Sequence, residues 1–161
     1  MILEKGKVHF KQAIRDFWCG YIDFKGFTTR AGYWWAVLFS YLVPVLCVTI
    51  ATLLGFMGSS SANIALIFLI VALLFGIAIF IPTVTLSIRR WRDAGLSNAG
   101  IIILCVLDIL FNGLSIQFHT FSNALTLILG IVMLLLSILP TDKLVTHSQY
   151  PLWKFLFRSH S

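Results

Sequence analysis

Two stretches of this chain hold residues able to do chemistry. The first is Arg89-Arg90-Trp91-Arg92-Asp93-Ala94-Gly95, which gathers guanidinium groups, an indole and one carboxylate. Guanidinium forks match phosphate oxygens two at a time. Arg89, Arg90, Trp91, Arg92 and Asp93 therefore form a candidate site for an anionic lipid headgroup or a partner protein. Asp93 lies four residues after Arg89 and three after Arg90, a spacing at which a continuing helix pairs it with either. Arg30, expected at the same membrane face, belongs to the candidate set and is a second possible partner for Asp93. The structural reading of these residues is a topology anchor, a short cationic turn that ends at Gly95.

The second stretch is Cys105, Asp108, Asn112, Ser115 and His119, spaced by 3, 4, 3 and 4 residues. If one helix runs that far, they form a polar stripe along one face. Asp108 is the only acid inside an apolar span, and at mid-bilayer it costs about 2.5–3.5 kcal/mol, so it should face protein or water. Such a stripe can line a proton or ion path, or it can be hydrogen-bonding glue between helices or at a dimer seam. If Asn112-Gly113 ends the helix, Asp108 instead lies near the outer surface.

The rest of the inventory argues against catalysis. There is no GxSxG, no P-loop, no His pair at metal spacing and no paired carboxylates within a span. His9, His119, His147 and His160 are scattered. Cys19, Cys47 and Cys105 lack metal-ligand spacing, so no metal, cofactor or disulfide is expected.

The elements that must position these residues are membrane helices. The chain is 59% hydrophobic and 11% charged, with mean hydropathy +0.95. From Ala31 to Ile88 there is no Asp, Glu, Lys, Arg or His, and from Leu96 to Pro140 only Asp108 and His119. A soluble domain does not tolerate this, whereas a span of about 20 apolar residues crosses a bilayer. The expected fold is all-α and polytopic, with four transmembrane helices at about residues 33–54, 64–88, 98–116 and 121–139. Pro44 and Pro82 should kink the first two. Spacings such as Ala51/Gly55, Ala72/Gly76 and Ser122/Thr126/Gly130 suit close helix contacts.

Residues 1–32 form a basic segment in which Phe10, Ile14, Phe17 and Tyr21 share one helical face. An amphipathic helix is expected there, lying at the membrane surface or packed on the bundle. The first apolar run begins too late and is too long for a cleavable signal peptide. The tail, 141–161, mixes Lys143, Lys154 and Arg158 with aromatic residues.

The net charge of +6 and pI near 9.6 would suggest nucleic acid in a soluble chain. Here the cations flank apolar spans: six lie before the first, three in the central cluster and three in the tail, with none near residues 60 or 118. By the positive-inside rule both termini and the central cluster are expected in the cytoplasm, with anionic lipid rather than nucleic acid as the partner. A homo-oligomer or a membrane protein partner fits as well. A weaker pattern pairs Arg30-Ala31-Gly32 with Asp93-Ala94-Gly95, Ala62-Asn63 with Ser122-Asn123, and Pro82-Thr83 with Pro140-Thr141. It suggests two helical hairpins in the same orientation.

Two motifs carry a family resemblance. Gly26, Arg30, Tyr33 and Trp34 in the first, and Pro82, Arg89, Arg90, Asp93, Gly95 and Ser97 in the second, make the chain similar to the bacterial inner-membrane family called domain of unknown function 805. The likeness covers roughly residues 16–142. Phe27 stands where that family usually has Arg, Trp91 where it usually has Leu, and the family's common ending is replaced by Leu139-Pro140-Thr141-Asp142. The resemblance implies four membrane helices in a bacterial inner membrane and no established activity. The expected function is non-enzymatic binding of anionic lipid or a partner protein at the Arg/Trp face. The alternative is a small oligomeric transporter or channel that uses the stripe around Asp108.

Overall fold

The computed structural model describes residues 2–4, 6, 8–56, 62–114, 119–145 and 151–158, and among these it is all-helical, without a strand. Six helices follow in order: α1 (Phe10–Cys19), α2 (Arg30–Phe56), α3 (Ala62–Ala94), α4 (Asn98–Leu114), α5 (His119–Ile138) and α6 (Pro151–Leu156). At about 1.5 Å per residue, α2 and α3 are roughly 40 and 50 Å long. Both are long and apolar enough to cross a membrane. Only 11% and 6% of their apolar windows are buried, so neither is the hidden core helix of a soluble protein. The apolar parts of α4 and α5 are shorter, Asn98–Asn112 and Asn123–Ile138.

The chain divides into two compact units, Met1–Gly26 with Ala31–Leu86, and Phe27–Arg30 with Ser87–Ser161. In the first unit the expected amphipathic helix is α1, and its apolar face packs on protein. Phe17 is fully buried against Ala36 and Leu86, and Phe10 meets the Trp35 ring edge-on at 5.6 Å. The segment after α1 is fastened to α3 at Pro82. A proline cannot donate to the carbonyl four residues earlier, here that of Ala78. The Tyr21 hydroxyl donates to that carbonyl at 2.8 Å. Thr85 Oγ1 lies 3.0 Å from the Tyr21 carbonyl, so the fastening runs both ways. Both prolines sit inside helices that continue past them.

Of the small residues expected at helix contacts, Ala51 is buried on α2, but the glycines are not approached. Nothing lies within 4 Å of a Cβ added at Gly55, Gly76 or Gly130. Gly32, Ala36 and Ser40 form a further buried row at the start of α2, where a Cβ at Gly32 would collide with the Glu4 carboxylate. A glycine at the start of α2 lets the amino-terminal segment lie directly on the helix backbone.

In the second unit α4 packs on α5 and α6. Trp91, Leu96, Ile101 and Leu136 form its apolar core, with Phe157 and Leu144 against them. The third and fourth apolar helices run 98–114 and 119–138, close to the expected 98–116 and 121–139. Asn112-Gly113 lies inside the last turn of α4 and does not end the helix.

Candidate functional site

The arginine cluster is helical. It was expected to be a short turn after a span ending near Ile88, but α3 continues through it to Ala94. Arginine is a good helix former, so the loss of apolar character at Arg89 does not stop the backbone. Gly95 does, at φ +112°. The Gly95 amide donates to the Arg92 carbonyl and the Leu96 amide to the Trp91 carbonyl, both at 3.1 Å. This is a Schellman ending, completed by the packing of Leu96 on Trp91.

Continuation of the helix turns Arg89 and Arg90 inward, and both are 0% exposed. Arg90 Nε donates to the Ser137 carbonyl at 3.1 Å, another of its nitrogens to the Leu139 carbonyl, and a third to the Asp93 carboxylate. The last carbonyls of a helix lack intrahelical donors, and here one guanidinium supplies them at the end of α5. Asp93, 3% exposed, also accepts from Thr141 Oγ1 at 2.9 Å. Around this pair the backbone closes. Asp142 N donates to Asp93 O at 2.7 Å, and Leu144 N to Ala94 O at 2.9 Å. Arg90 and Asp93 thus clamp the end of α5 and residues 140–145 onto the end of α3.

The residues of the expected headgroup site part ways in the fold. Arg89, Arg90, Trp91 and Asp93 are buried and do not form an exposed face. The Arg30–Asp93 pair is not formed either, because Arg90 and Thr141 hold the carboxylate, while Arg30 is exposed as the first residue of α2. Arg92 alone of the three clustered arginines turns outward. It is partly exposed and donates to Asn98 Oδ1 at 2.8 Å.

Arg92 opens onto a cleft of about 310 Å³ lined also by Phe27, Leu96, Ser97, Asn98, Phe157 and Arg158. Ser97 precedes α4 and caps it, its Oγ accepting from the Gly100 amide at 3.1 Å. The tail forms the other wall. Leu96 and Phe157 make an antiparallel bridge, Ser97 N donates to Leu156 O at 3.1 Å, and Arg158 N donates to Gly95 O at 2.8 Å. Gly100 permits this approach, since a Cβ there would lie 2.5 Å from the Leu156 carbonyl oxygen. The Arg158 guanidinium sits 5.2 Å from the centre of the Phe27 ring and pairs with Asp142. The cleft therefore holds two outward arginines, Arg92 bonded to Asn98 and Arg158 to Asp142 at its edge.

Sequence reasoning missed Arg158, Asn98 and Phe27 as lining residues. Ser97 had a visible signal, a hydroxyl residue just before an apolar run, but nothing in the spacing joined Arg158 to Arg92.

Of the expected polar stripe, Cys105, Asp108 and Asn112 lie together on α4. Cys105 and Asp108 are half-buried on α4, and Asn112 Nδ2 lies 3.1 Å from Asp108 Oδ1 and 2.8 Å from the Asp108 carbonyl. Ser115 lies outside the described residues, and His119 begins α5, so it does not continue the α4 face. Among the described residues no three His, Cys, Asp or Glu side chains gather as a metal site.

The class these features define is an all-helical protein with membrane-type helices and an arginine-clamped end to α3. The family model described as protein of unknown function (DUF805) matches residues 21–147, and the chain belongs to that family. No curated protein and no solved structure matches it.

Proposed function

We propose that this chain is a multi-pass protein of the bacterial inner membrane that binds a phosphate-bearing lipid headgroup, without catalysis, in the cleft between Arg92 and Arg158. The observation that carries this reading is the cleft itself, where two guanidinium groups from opposite ends of the second unit face a common space beside Ser97 and Asn98. Planar guanidinium forks suit phosphate oxygens, and the Phe27 ring holds one of them in place.

The topology of the proposal is four crossings with both ends and the α3–α4 junction in the cytoplasm. Every Lys and Arg falls on that side under this arrangement. The clamp supports it, because Arg90 of α3 bonded to carbonyls at the end of α5 requires α4 and α5 to run out and back. Arg92, Arg158 and the basic tail then meet the leaflet that carries anionic lipid.

The test is native mass spectrometry of the detergent-purified protein beside an Arg92→Gln/Arg158→Gln variant, with Lys11→Gln, exposed on α1, as a surface control. Anionic phospholipid should stay bound to the parent and to the control. The double variant should lose about tenfold in retention, equivalent to about 1.4 kcal/mol. Retention unchanged in the double variant overturns the reading, as does a co-purifying protein bound in place of lipid.

A further inference from the structure

Beside the arginine cleft lies a second cavity, of about 210 Å³, between α4 and α5. Its walls are Ile103 and Leu104 from α4, Val132 and Leu136 from α5, and Leu96 and Phe157, which line the arginine cleft as well. The two cavities thus share a threshold, the antiparallel Leu96–Phe157 bridge. One side of it presents only hydrocarbon, and the other presents Arg92, Arg158, Ser97 and Asn98.

We infer that the two cavities form a single amphiphile site, in which one acyl chain of a phosphate-bearing membrane lipid lies between α4 and α5 while its headgroup meets Arg92 and Arg158. This inference rests on the headgroup reading above and adds to it the place of the chain. The apolar cavity admits no polar group without loss of its hydrogen bonds, so its occupant is a hydrocarbon segment. The adjoining guanidinium groups favour an anionic head on that hydrocarbon, since their planar forks suit phosphate oxygens. A soluble phosphate ester would fill only the polar half, and a neutral lipid would gain nothing from the guanidinium groups at the threshold. The bridge between 95–97 and 155–158 keeps the threshold in place, since Gly95, Ser97 and Ser97 Oγ each bond the tail backbone across it.

The experiment uses the full-length protein in phosphatidylcholine nanodiscs doped with phosphatidylglycerol that carries a diazirine on one acyl chain. A phosphatidylcholine analogue with the same chain serves as the second probe. After irradiation the labelled residues are mapped by peptide mass spectrometry. The expected result is labelling concentrated on Ile103, Leu104 and Val132, about tenfold above the phosphatidylcholine probe, a difference of about 1.4 kcal/mol in occupancy. Val132→Phe, which fills the cavity from a partly exposed position, should remove that excess, and Arg92→Gln/Arg158→Gln should do the same. Because the mapping is read on the unaltered protein, a variant that fails to fold does not decide the outcome. Label spread evenly over the apolar faces of α2, α3, α4 and α5 overturns the inference. If retention of phosphatidylglycerol still depends on Arg92 and Arg158 in that case, the headgroup reading survives and only the chain site falls. Label in the cavity that is equal for both probes and indifferent to the arginines overturns both.

Discussion

Removal of the Arg90 side chain should cost far more than removal of its neighbour Arg92. Arg90→Met keeps much of the aliphatic volume but deletes three donor contacts, to Ser137 O, Leu139 O and the Asp93 carboxylate. What remains is a carboxylate 3% exposed, held by the Thr141 hydroxyl without its cation, and carbonyls at the end of α5 that lose this donor. Breaking a buried ion pair by removing one partner costs about 3–5 kcal/mol. At roughly 2–4 °C per kcal/mol for a chain of this size, the unfolding midpoint should fall by about 6–20 °C. The assay is thermal unfolding in mild detergent, with hydrogen exchange of residues 139–145 as the local readout. Arg92→Gln, at a partly exposed position, should shift the midpoint by no more than about 0.5 kcal/mol equivalent. Arg90→Lys should not rescue, because an ammonium cannot span two carbonyls and a carboxylate in one plane. Asp93→Asn in the Arg90→Met background should recover part of the loss, with a coupling of about 1–3 kcal/mol. Equal midpoints for Arg90→Met and Arg92→Gln, or additive effects in the double variant, would refute the clamp.

Four further outcomes follow from the geometry. Tyr21→Phe removes the donor at the Ala78 carbonyl exposed by Pro82, and should destabilise by about 1 kcal/mol in detergent unfolding. The same change in a Pro82→Ala background should cost less, since the helix then supplies its own donor. Gly95→Ala places a Cβ 2.7 Å from the Val145 nitrogen at φ +112°, and should cost more than about 1 kcal/mol, read as lost protection of residues 142–145. Burial pushes the Asp23 carboxyl up, but the Ile2 amide, the amino-terminal charge and the Lys25 amide together outweigh it and hold the group below its usual range. A depressed carboxyl stabilises the fold above its unfolded pKa of about 3.9, and that contribution is lost as pH falls through the lower folded value. Protection of the Ile2 amide, its exchange taken relative to the intrinsic rate at each pH, should therefore fall on acidification in the parent and stay constant in Asp23→Asn. Proteoliposomes should conduct protons no faster than empty liposomes; flux abolished by Asp108→Asn would instead favour transport through the α4 stripe.

The helices were legible because long apolar runs with few backbone breakers favour continuous helix, and Pro44 and Pro82 do not end theirs. Side-chain directions were not, and particular residues show why. The spacing of Arg89, Arg90 and Asp93 permitted two ion pairs, and the choice of Arg90 depends on carbonyl acceptors 47 and 49 residues away. A backbone carbonyl has no sequence signature. Pro82 announces that Ala78 needs a donor, yet nothing in the pattern names Tyr21. Glycine spacing pointed to Gly55, Gly76 and Gly130, where nothing approaches, and passed over Gly32, where a carboxylate does. Small residues mark where backbones can meet; only the path of the rest of the chain determines where they do.

The same limit explains how one short motif holds two jobs. A helix turns about 100° per residue, so Arg90 and Asp93 lie about 60° apart, while Arg92 points about 160° away from Arg90. Once Gly95 ends α3 and the turn after α5 returns to Asp93 and Ala94, the inward pair is committed to backbone acceptors. Arg92 is then the motif's guanidinium that can reach outward, and the tail bonded to Gly95 and Ser97 brings Arg158 beside it. A substitution series across 89–93 should therefore separate by helix phase: inward positions should move stability and leave lipid selectivity intact in whatever fraction folds, and Arg92 should do the reverse. Loss of lipid retention at Arg90 in a variant whose unfolding midpoint is unchanged would contradict this division, and would return the inward arginines to the binding site.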